Sequence, residues 1–355
     1  MSATNPVFRR RTSASVATAL LALAAAATAA TAATLRAQAG VFEQDSTLDN
    51  LRHAPGYATA PLGTLGRVVR RGSGPVDVVI IPGFGFGAEE FERFMRDNAT
   101  RYRMVAVTLP GFAGTAAPPM PPAGTSYGDA TWTRAAEQAI ARTIESERLR
   151  KPIVVGHFIV GTQLALRLAL DRPDLVGGVV VVGGEPMRFV PSRRDSTGKT
   201  PMPRDERVAG MDSYMGPRWF RTVTKKTWNA NNYAAAQYTR DSARAAELWK
   251  KAADVPLPVL IRYLSEYMAM DLSEEFPRLA VETRVLVPGF APEILADPKQ
   301  SYVKPMFLDA WDAVGRMHNP RIVIRPVSGA HIFITDDRPD VVRDAIDEVA
   351  RAGGR

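Results

Sequence analysis

The chain has no cysteine among its 355 residues. That excludes disulfide frameworks, thiolate-ligated zinc, cysteine nucleophiles and a lipid anchor on cysteine. Histidine is scarce as well. His53, His157, His318 and His331 are the only four, too few for a histidine-rich metal site. Beyond residue 39 there is no second long apolar run, so no further membrane span is expected. A strong basic excess is also lacking once the N-terminus is set aside. The formal charge of +8 includes Arg9, Arg10, Arg11 and Arg36, which no acid offsets before residue 40, leaving about +4 for the rest. Spread over alternating acids and bases, that charge gives no footprint for nucleic acid.

What is present is the balance of a globular protein. Hydrophobic residues make up 46% and charged residues 23%, which rules out a disordered or collagen-like chain. The length suits one large domain with a sizeable core, or two ordinary ones.

Residues 1–39 have the three parts of a secretory signal. Arg9-Arg10-Arg11 forms a positive n-region, Val16 to Thr34 is an Ala/Leu-rich stretch, and Ala37-Gln38-Ala39 is a small-x-small cleavage site before Gly40. Alanine and threonine dominate the apolar stretch, so it inserts weakly as a membrane anchor. The expectation is a cleaved signal peptide, a mature protein that is periplasmic or secreted, and no stable membrane anchor after cleavage.

From Val76 onward, strand and helix signals alternate. Val76 to Ile81 is an apolar β-branched run bounded by Pro82-Gly83, the mark of a buried strand. Further strands are expected at Tyr102–Leu109, Pro152–Val155, Val179–Val182, Arg284–Val287 and Arg321–Pro326. Helical spacing predicts helices at Glu89–Asn98, Thr131–Arg148, Thr162–Leu170 and Pro339–Ala350. Such alternation implies right-handed crossovers and a mostly parallel sheet covered on both faces. Between Met187 and Phe276 the strand signals stop. A Pro/Ser/Arg-rich lead-in, Pro191 to Pro203, opens a region carrying Met202, Met211, Met215, Trp219, Trp228, Trp249, Tyr263 and Met268 on helix-compatible stretches. Ordinary core packing accounts for most of these. A minority would line a cavity for an apolar ligand.

Four segments, in order, resemble motifs of the α/β-hydrolase superfamily. Ile81-Pro82-Gly83-Phe84-Gly85-Phe86-Gly87 resembles its oxyanion loop. Thr108-Leu109-Pro110-Gly111-Phe112-Ala113-Gly114-Thr115 is similar to its Asp-x-Pro-Gly-x-Gly-x-Ser turn. Val155-Gly156-His157-Phe158-Ile159-Val160-Gly161 takes the place of the nucleophile elbow, and Gly329-Ala330-His331-Ile332-Phe333 that of the catalytic-histidine loop. Gly184-Glu185-Pro186-Met187 and Tyr267-Met268-Ala269-Met270-Asp271-Leu272 are similar to segments of exported members with a short helical cap.

The resemblance implies an α/β-hydrolase fold: a mostly parallel central sheet flanked by helices, with a helical cap insertion. Its division would be 1–39 signal peptide, 40–186 first part of the core, 187–276 cap and 277–355 second part of the core. It implies His331 as the catalytic histidine. Glu185 or Glu293 would be the acid, the two ranking level, with Asp297 read as a solvated carboxylate. The backbone N–H groups of Phe84 and Ile159 would form the oxyanion hole, and His157 would pack behind the elbow as a structural residue.

The elbow departs from the family. Gly-x-Ser-x-Gly needs a serine on a strained turn, and here Phe158 stands at the nucleophile position with Val160 in place of the following glycine. Neither ring nor alkyl chain can attack a carbonyl. Thr162, the nearest hydroxyl, lies a helical turn further on. A shift of one residue either way brings no serine, aspartate or cysteine to the elbow.

Two readings follow. In the first, the protein is an ester- or lactone-type hydrolase in which His331 activates water or substrate beside a backbone oxyanion hole. In the second, it is a non-catalytic pseudo-hydrolase that binds a small molecule in the capped cavity. Family frequency favours the first and Phe158 the second, and the expectation leans to the first, a hydrolase-family enzyme, with the binder as the alternative. Both take a small apolar or ester-like molecule, with no nucleotide loop, metal ligand set or cofactor fingerprint in the sequence. A purely structural module has no motif in its favour. Phe158 and His331 are expected to face one cavity, because their loops converge at the C-terminal edge of the sheet.

Overall fold

The computed structural model describes residues 59–186, 190, 201–315 and 319–354. The expected leader with its cleavage point at Gly40, His53, His318, Met187 and most of the Pro191–Pro203 lead-in lie outside these residues.

Seven strands form one sheet: β1 (Arg67–Arg71), β2 (Val76–Ile81), β3 (Tyr102–Thr108), β4 (Ile153–His157), β5 (Gly178–Val182), β6 (Thr283–Gly289) and β7 (Ile322–Ser328), in the order β1-β3-β2-β4-β5-β6-β7. All neighbours run parallel except β1, which is antiparallel to β3. The six parallel strands are the six expected from apolar runs. β1 escaped that reading because its Arg67-Val68-Val69-Arg70-Arg71 is half polar. It is an edge strand, and its arginines keep the open edge from pairing with another chain.

Alternate residues of the strands supply two cores. Val79, Ile81, Val105, Val107, Val154, Val179, Val181 and Val285 point into one, and Val78, Ile80, Met104, Ala106, Val155, Val180, Val182 and Leu286 into the other. On the first face lie α2 (Thr131–Ser146) and α3 (Val160–Asp171), through Ile140, Ile144, Leu164 and Leu168. The opposite face is covered by α1 (Glu92–Asp97) and, at the chain's end, α12 (Pro339–Ala352), through Phe94, Met95, Val342, Ile346 and Val349. The result is a three-layer α/β/α domain.

Between β5 and β6 the described residues contain no strand. They form α4 (Arg204–Gly210), which continues through a π-helical turn at Met211–Met215 into α5 (Gly216–Thr222), then α6 (Lys225–Asn229), α7 (Ser242–Asp254) and α8 (Leu257–Ala269). Local chemistry starts these helices. Thr224 and Thr227 form a capping box on α6, and Asp241 accepts the N–H groups of Ala243 and Arg244 at the head of α7. Met211, Trp219 and Tyr263 are buried in the larger core. Short helices α9 (Pro292–Ala296), α10 (Ala310–Gly315) and α11 (Ile334–Asp337) complete the chain.

The order β3-β2-β4 makes the end of β2 a switch point. The chain leaves β2 for β3 on one side and returns to β4 on the other, so the loops after β2 and β4 diverge and leave a crevice at their carboxyl ends.

Candidate functional site

The loop after β2 and the turn after β4 meet in that crevice. Gly83 N–H donates to Nδ1 of the fully buried His157 at 3.2 Å, and Phe84 N–H donates to the Phe158 carbonyl at 3.3 Å. His157 is the structural residue expected. Burial lowers its pKa to about 3, so its ring stays neutral and accepts from the loop. The Phe84 N–H does not stand open as an oxyanion donor, because the elbow's own carbonyl occupies it.

The elbow itself differs from the expectation by one residue. Phe158 and Ile159 both have positive φ, 31° and 53°, and Ile159, with ψ −108°, is the residue at the N-cap of α3. For a β-branched residue this is a real outlier, of a kind that costs about 1–3 kcal/mol and that cores must hold in place. A Cβ on Gly161, two residues later, would lie 2.5 Å from the Ile81 carbonyl and 2.6 Å from that of Pro82, so only glycine fits there. The apex is therefore Ile159, and the family's apex-x-Gly spacing falls on Ile159-Val160-Gly161. Gly156, which drew the register one residue too early, has a different task. It lets α3 approach, since a Cβ there would meet Ala165 Cβ at 2.5 Å. Phe158 is thus not the nucleophile position. Nor does Ile159 follow the apex as a second oxyanion donor, because it is the apex. The chemical conclusion is unchanged: isoleucine has no nucleophilic atom.

His331 sits in the loop between β7 and α11 and is buried. Its backbone N–H donates to Asp337 Oδ2 at 2.8 Å, and its ring Nε2 accepts the Ala291 N–H at 3.3 Å. Burial pushes its pKa below the ordinary value, against the pull of the Asp337 carboxylate. Neither expected acid reaches it. Glu185 is fully buried and takes the Tyr267 hydroxyl at 2.7 Å, while Glu293 is exposed in the first turn of α9. Asp297 is half-buried and has work of its own, capping the turn at Lys299 and holding Gln300 Nε2 at 2.9 Å.

A cavity of about 40 Å³ opens at the elbow, lined by Phe84, Phe158, Ile159, Trp228, Asn231, Ala234, Gln237, Tyr238, Trp249 and Tyr302. It has room for a few water molecules. Phe158 faces it and His331 does not. From Phe158 the rings run to Phe307, stacked at 6.0 Å, then to Phe290 at 5.2 Å and on to His331 at 5.7 Å. Two phenylalanines thus stand where one shared cavity was expected. Thr162 is fully buried in α3 and does not line it. Of the aromatic and Met residues singled out in the helical region, Trp228 and Trp249 do. Gln237, Tyr238 and Tyr302 carried no periodic signal and were found only by the fold.

The helical region is fastened across this site. Ile332 N–H donates to the Gln237 carbonyl at 2.9 Å and Phe333 N–H to that of Tyr238 at 2.6 Å. Asp337 also accepts the Thr239 hydroxyl at 2.6 Å and the Arg240 N–H at 3.0 Å. On α7, Arg244 bridges the buried Glu90 at 2.9 Å and Asp336 at 3.1 Å, and Lys251 reaches Glu90 at 2.9 Å. Among the described residues no group of His, Asp and Glu is placed to hold a metal ion.

Comparison with known proteins agrees with this geometry. The family described as "Alpha/beta hydrolase family" matches residues 78–345. No curated protein matches. Among solved structures, an esterase from Exiguobacterium antarcticum superposes with a TM-score of 0.56 at 16% identity, over 80% of this chain and 94% of that one. The 2-hydroxy-6-oxo-6-phenylhexa-2,4-dienoate hydrolase of Rhodococcus sp. strain RHA1 gives 0.57 at 15% identity, over 82% and 96%. A bromoperoxidase from Bacillus anthracis gives 0.55 at 13%, over 80% and 94%. At such identities the likeness is one of fold.

Proposed function

Starting from the fact that this chain belongs to the α/β hydrolase family, we propose that it is a small-molecule-binding member in which serine-type acyl transfer does not operate. The observation that carries the reading is the elbow. The strained strand-to-helix turn is kept, and isoleucine occupies its apex. Covalent catalysis on this fold needs a nucleophile there and a base within hydrogen-bond reach of it. The alternative, direct activation of water by His331, is weakened by two further facts. The Nε2 lone pair is taken by Ala291 N–H, and the ring does not line the cavity. Without Phe84 N–H the oxyanion hole also loses a donor.

The binding surface of this reading is the aromatic cavity. The helices between β5 and β6 serve as its cap, and the ligand is small and apolar. Export through the N-terminal leader belongs to the same proposal and is supported by the sequence alone. The deciding experiment treats the purified protein with a serine-directed fluorophosphonate and a panel of small esters and lactones, with apolar ligands titrated alongside. The expected result is no adduct, no turnover and saturable binding. Ester turnover abolished by His331→Ala would restore the hydrolytic reading.

A further inference from the structure

The charge beyond residue 39 is not evenly spread. From Ser213 to Arg240 the chain carries five cations, Arg218, Arg221, Lys225, Lys226 and Arg240, and no acid. That run alone exceeds the net charge of about +4 for all residues after 39. Four of the five fall on α5 and α6, at the helical corner outside the elbow cavity. Trp219, Phe220, Val223 and Trp228 are the buried side chains of this corner. Its outer side leaves Arg221, Lys225 and Lys226 exposed among threonines, and Arg218 half-buried. Arg218 lies over the Tyr214 ring at 5.6 Å, and Lys225 Nζ donates to the Val255 carbonyl at 3.0 Å, with Asp254 nearby. The ion pairs of the helical region belong instead to Arg207, Arg244, Lys251 and Arg262. Arg221 and Lys226 have none among the described residues. Cations gathered without counter-charges attract an anionic surface.

We propose that the outer face of α5 and α6 docks reversibly on an anionic lipid bilayer, with Arg218, Arg221, Lys225 and Lys226 at the headgroups. What the face lacks favours a bilayer over an acidic peptide. A peptide needs a pocket for its anchoring side chain, and none of the four cations lines the elbow cavity. A charged bilayer needs only cations near its plane. Tyr214, exposed beside Arg218, adds a ring of the kind that sits at headgroup depth. The contact is peripheral, since no helix among the described residues is long and apolar enough to cross a membrane. The export proposed above brings the chain beside such surfaces. Docked this way, the cavity wall at Trp228 and Asn231 lies next to lipid, where small apolar molecules collect. The docking does not depend on what the cavity binds.

The test sediments the full chain with vesicles of phosphatidylglycerol and phosphatidylcholine in equal parts, and with pure phosphatidylcholine. Binding is expected to the anionic vesicles alone and to fade at high salt. Arg221→Gln/Lys226→Gln should weaken it roughly 25-fold, about fivefold for each cation. Arg71→Gln/Arg150→Gln removes the same charge at the opposite end of the sheet, where β1 ends and the chain approaches β4, and should bind as the wild type does. The leader is identical in all three chains and cancels in the comparison. Both pairs are exposed, and matched melting curves verify that neither disturbs the fold. No binding to anionic vesicles, equal binding to neutral ones, or persistence at high salt overturns the proposal without reference to any variant. Equal loss in the two variants overturns it as well, because net charge and not this face would then be responsible. Polyglutamate that binds as tightly and displaces the vesicles would assign the face to an acidic protein and overturn the bilayer assignment.

Discussion

Ala291 N–H lies 3.3 Å from Nε2 of His331, so the nitrogen a general base would use is already an acceptor within the fold. The partner comes from the loop after β6, where the resemblance places the acid. A backbone amide there favours the neutral ring and opposes protonation, the reverse of what a carboxylate would do.

The corrected elbow register makes a chemical prediction. Ile159→Ser should present a hydroxyl at the apex and take up a fluorophosphonate slowly, because His331 is not free to assist it. Phe158→Ser should remain unlabelled. Mass spectrometry of the two variants checks this, and labelling at residue 158 alone would return the apex to Phe158.

Between pH 4.5 and 6.5 the contributions of His157 and Glu137 to the pH dependence of stability should offset each other. Burial lowers His157 from 6.5 to about 3, so its contribution is complete above 6.5 and is lost as pH falls. Glu137 is raised by burial from 4.5 to about 7, so its contribution is complete below 4.5 and is lost as pH rises. Each slope is about 1.4 kcal/mol per pH unit, and over that window the two oppose each other. His331, also lowered, acts in the sense of His157. Glu137→Gln should steepen the fall toward acid by about 1.4 kcal/mol per pH unit, measured as urea midpoints at fixed m-value. An unchanged slope would refute the Glu137 assignment.

Glu90 holds α7 through Arg244 and Lys251 while its own side chain is almost fully buried. Glu90→Gln leaves Arg244 with Asp336 and Glu247 and Lys251 with Glu247 alone, and should destabilise the fold by about 1.5–3 kcal/mol, the worth of a hydrogen bond to a charged group. It should also expose Trp249, so acrylamide quenching of tryptophan fluorescence should rise below the unfolding transition. Lost stability without increased quenching would mean that Glu90 does not govern the position of α7.

On the proposed export through the N-terminal leader, the mature protein should begin at Gly40, after Ala37-Gln38-Ala39. N-terminal sequencing of envelope-fraction protein tests this, and recovery of intact Met1 in a membrane pellet would count against cleavage.

Apolar β-branched runs made β2 to β7 readable from the sequence; β2 to β6 are largely buried, and β7, a half-buried edge, still opens on Ile322-Val323-Ile324. β1 was hidden because Arg67, Arg70 and Arg71 answer to an open edge, not to a core. The histidine loop was readable from Gly329-Ala330-His331, but its bond to Ala291 joins residues 40 apart and has no local signature. The elbow misled for a similar reason. Gly156-His157 imitates the start of the motif, while the glycine that sets the turn is identified only by the approach of Ile81 and Pro82 carbonyls from another strand. Trp228 and Trp249 were visible as aromatics on helical stretches. Gln237 and Tyr238 belong to a short 3-10 turn and its end, where no periodicity points inward.

The two backbone bonds from Ile332 and Phe333 to Gln237 and Tyr238 tie the loop after β7 to the segment that walls the cavity. Neither amide can exchange with solvent while that segment is seated, and both are released together when it lifts. Deuterium uptake at these two positions therefore times the breathing of the chamber itself, independently of what occupies it.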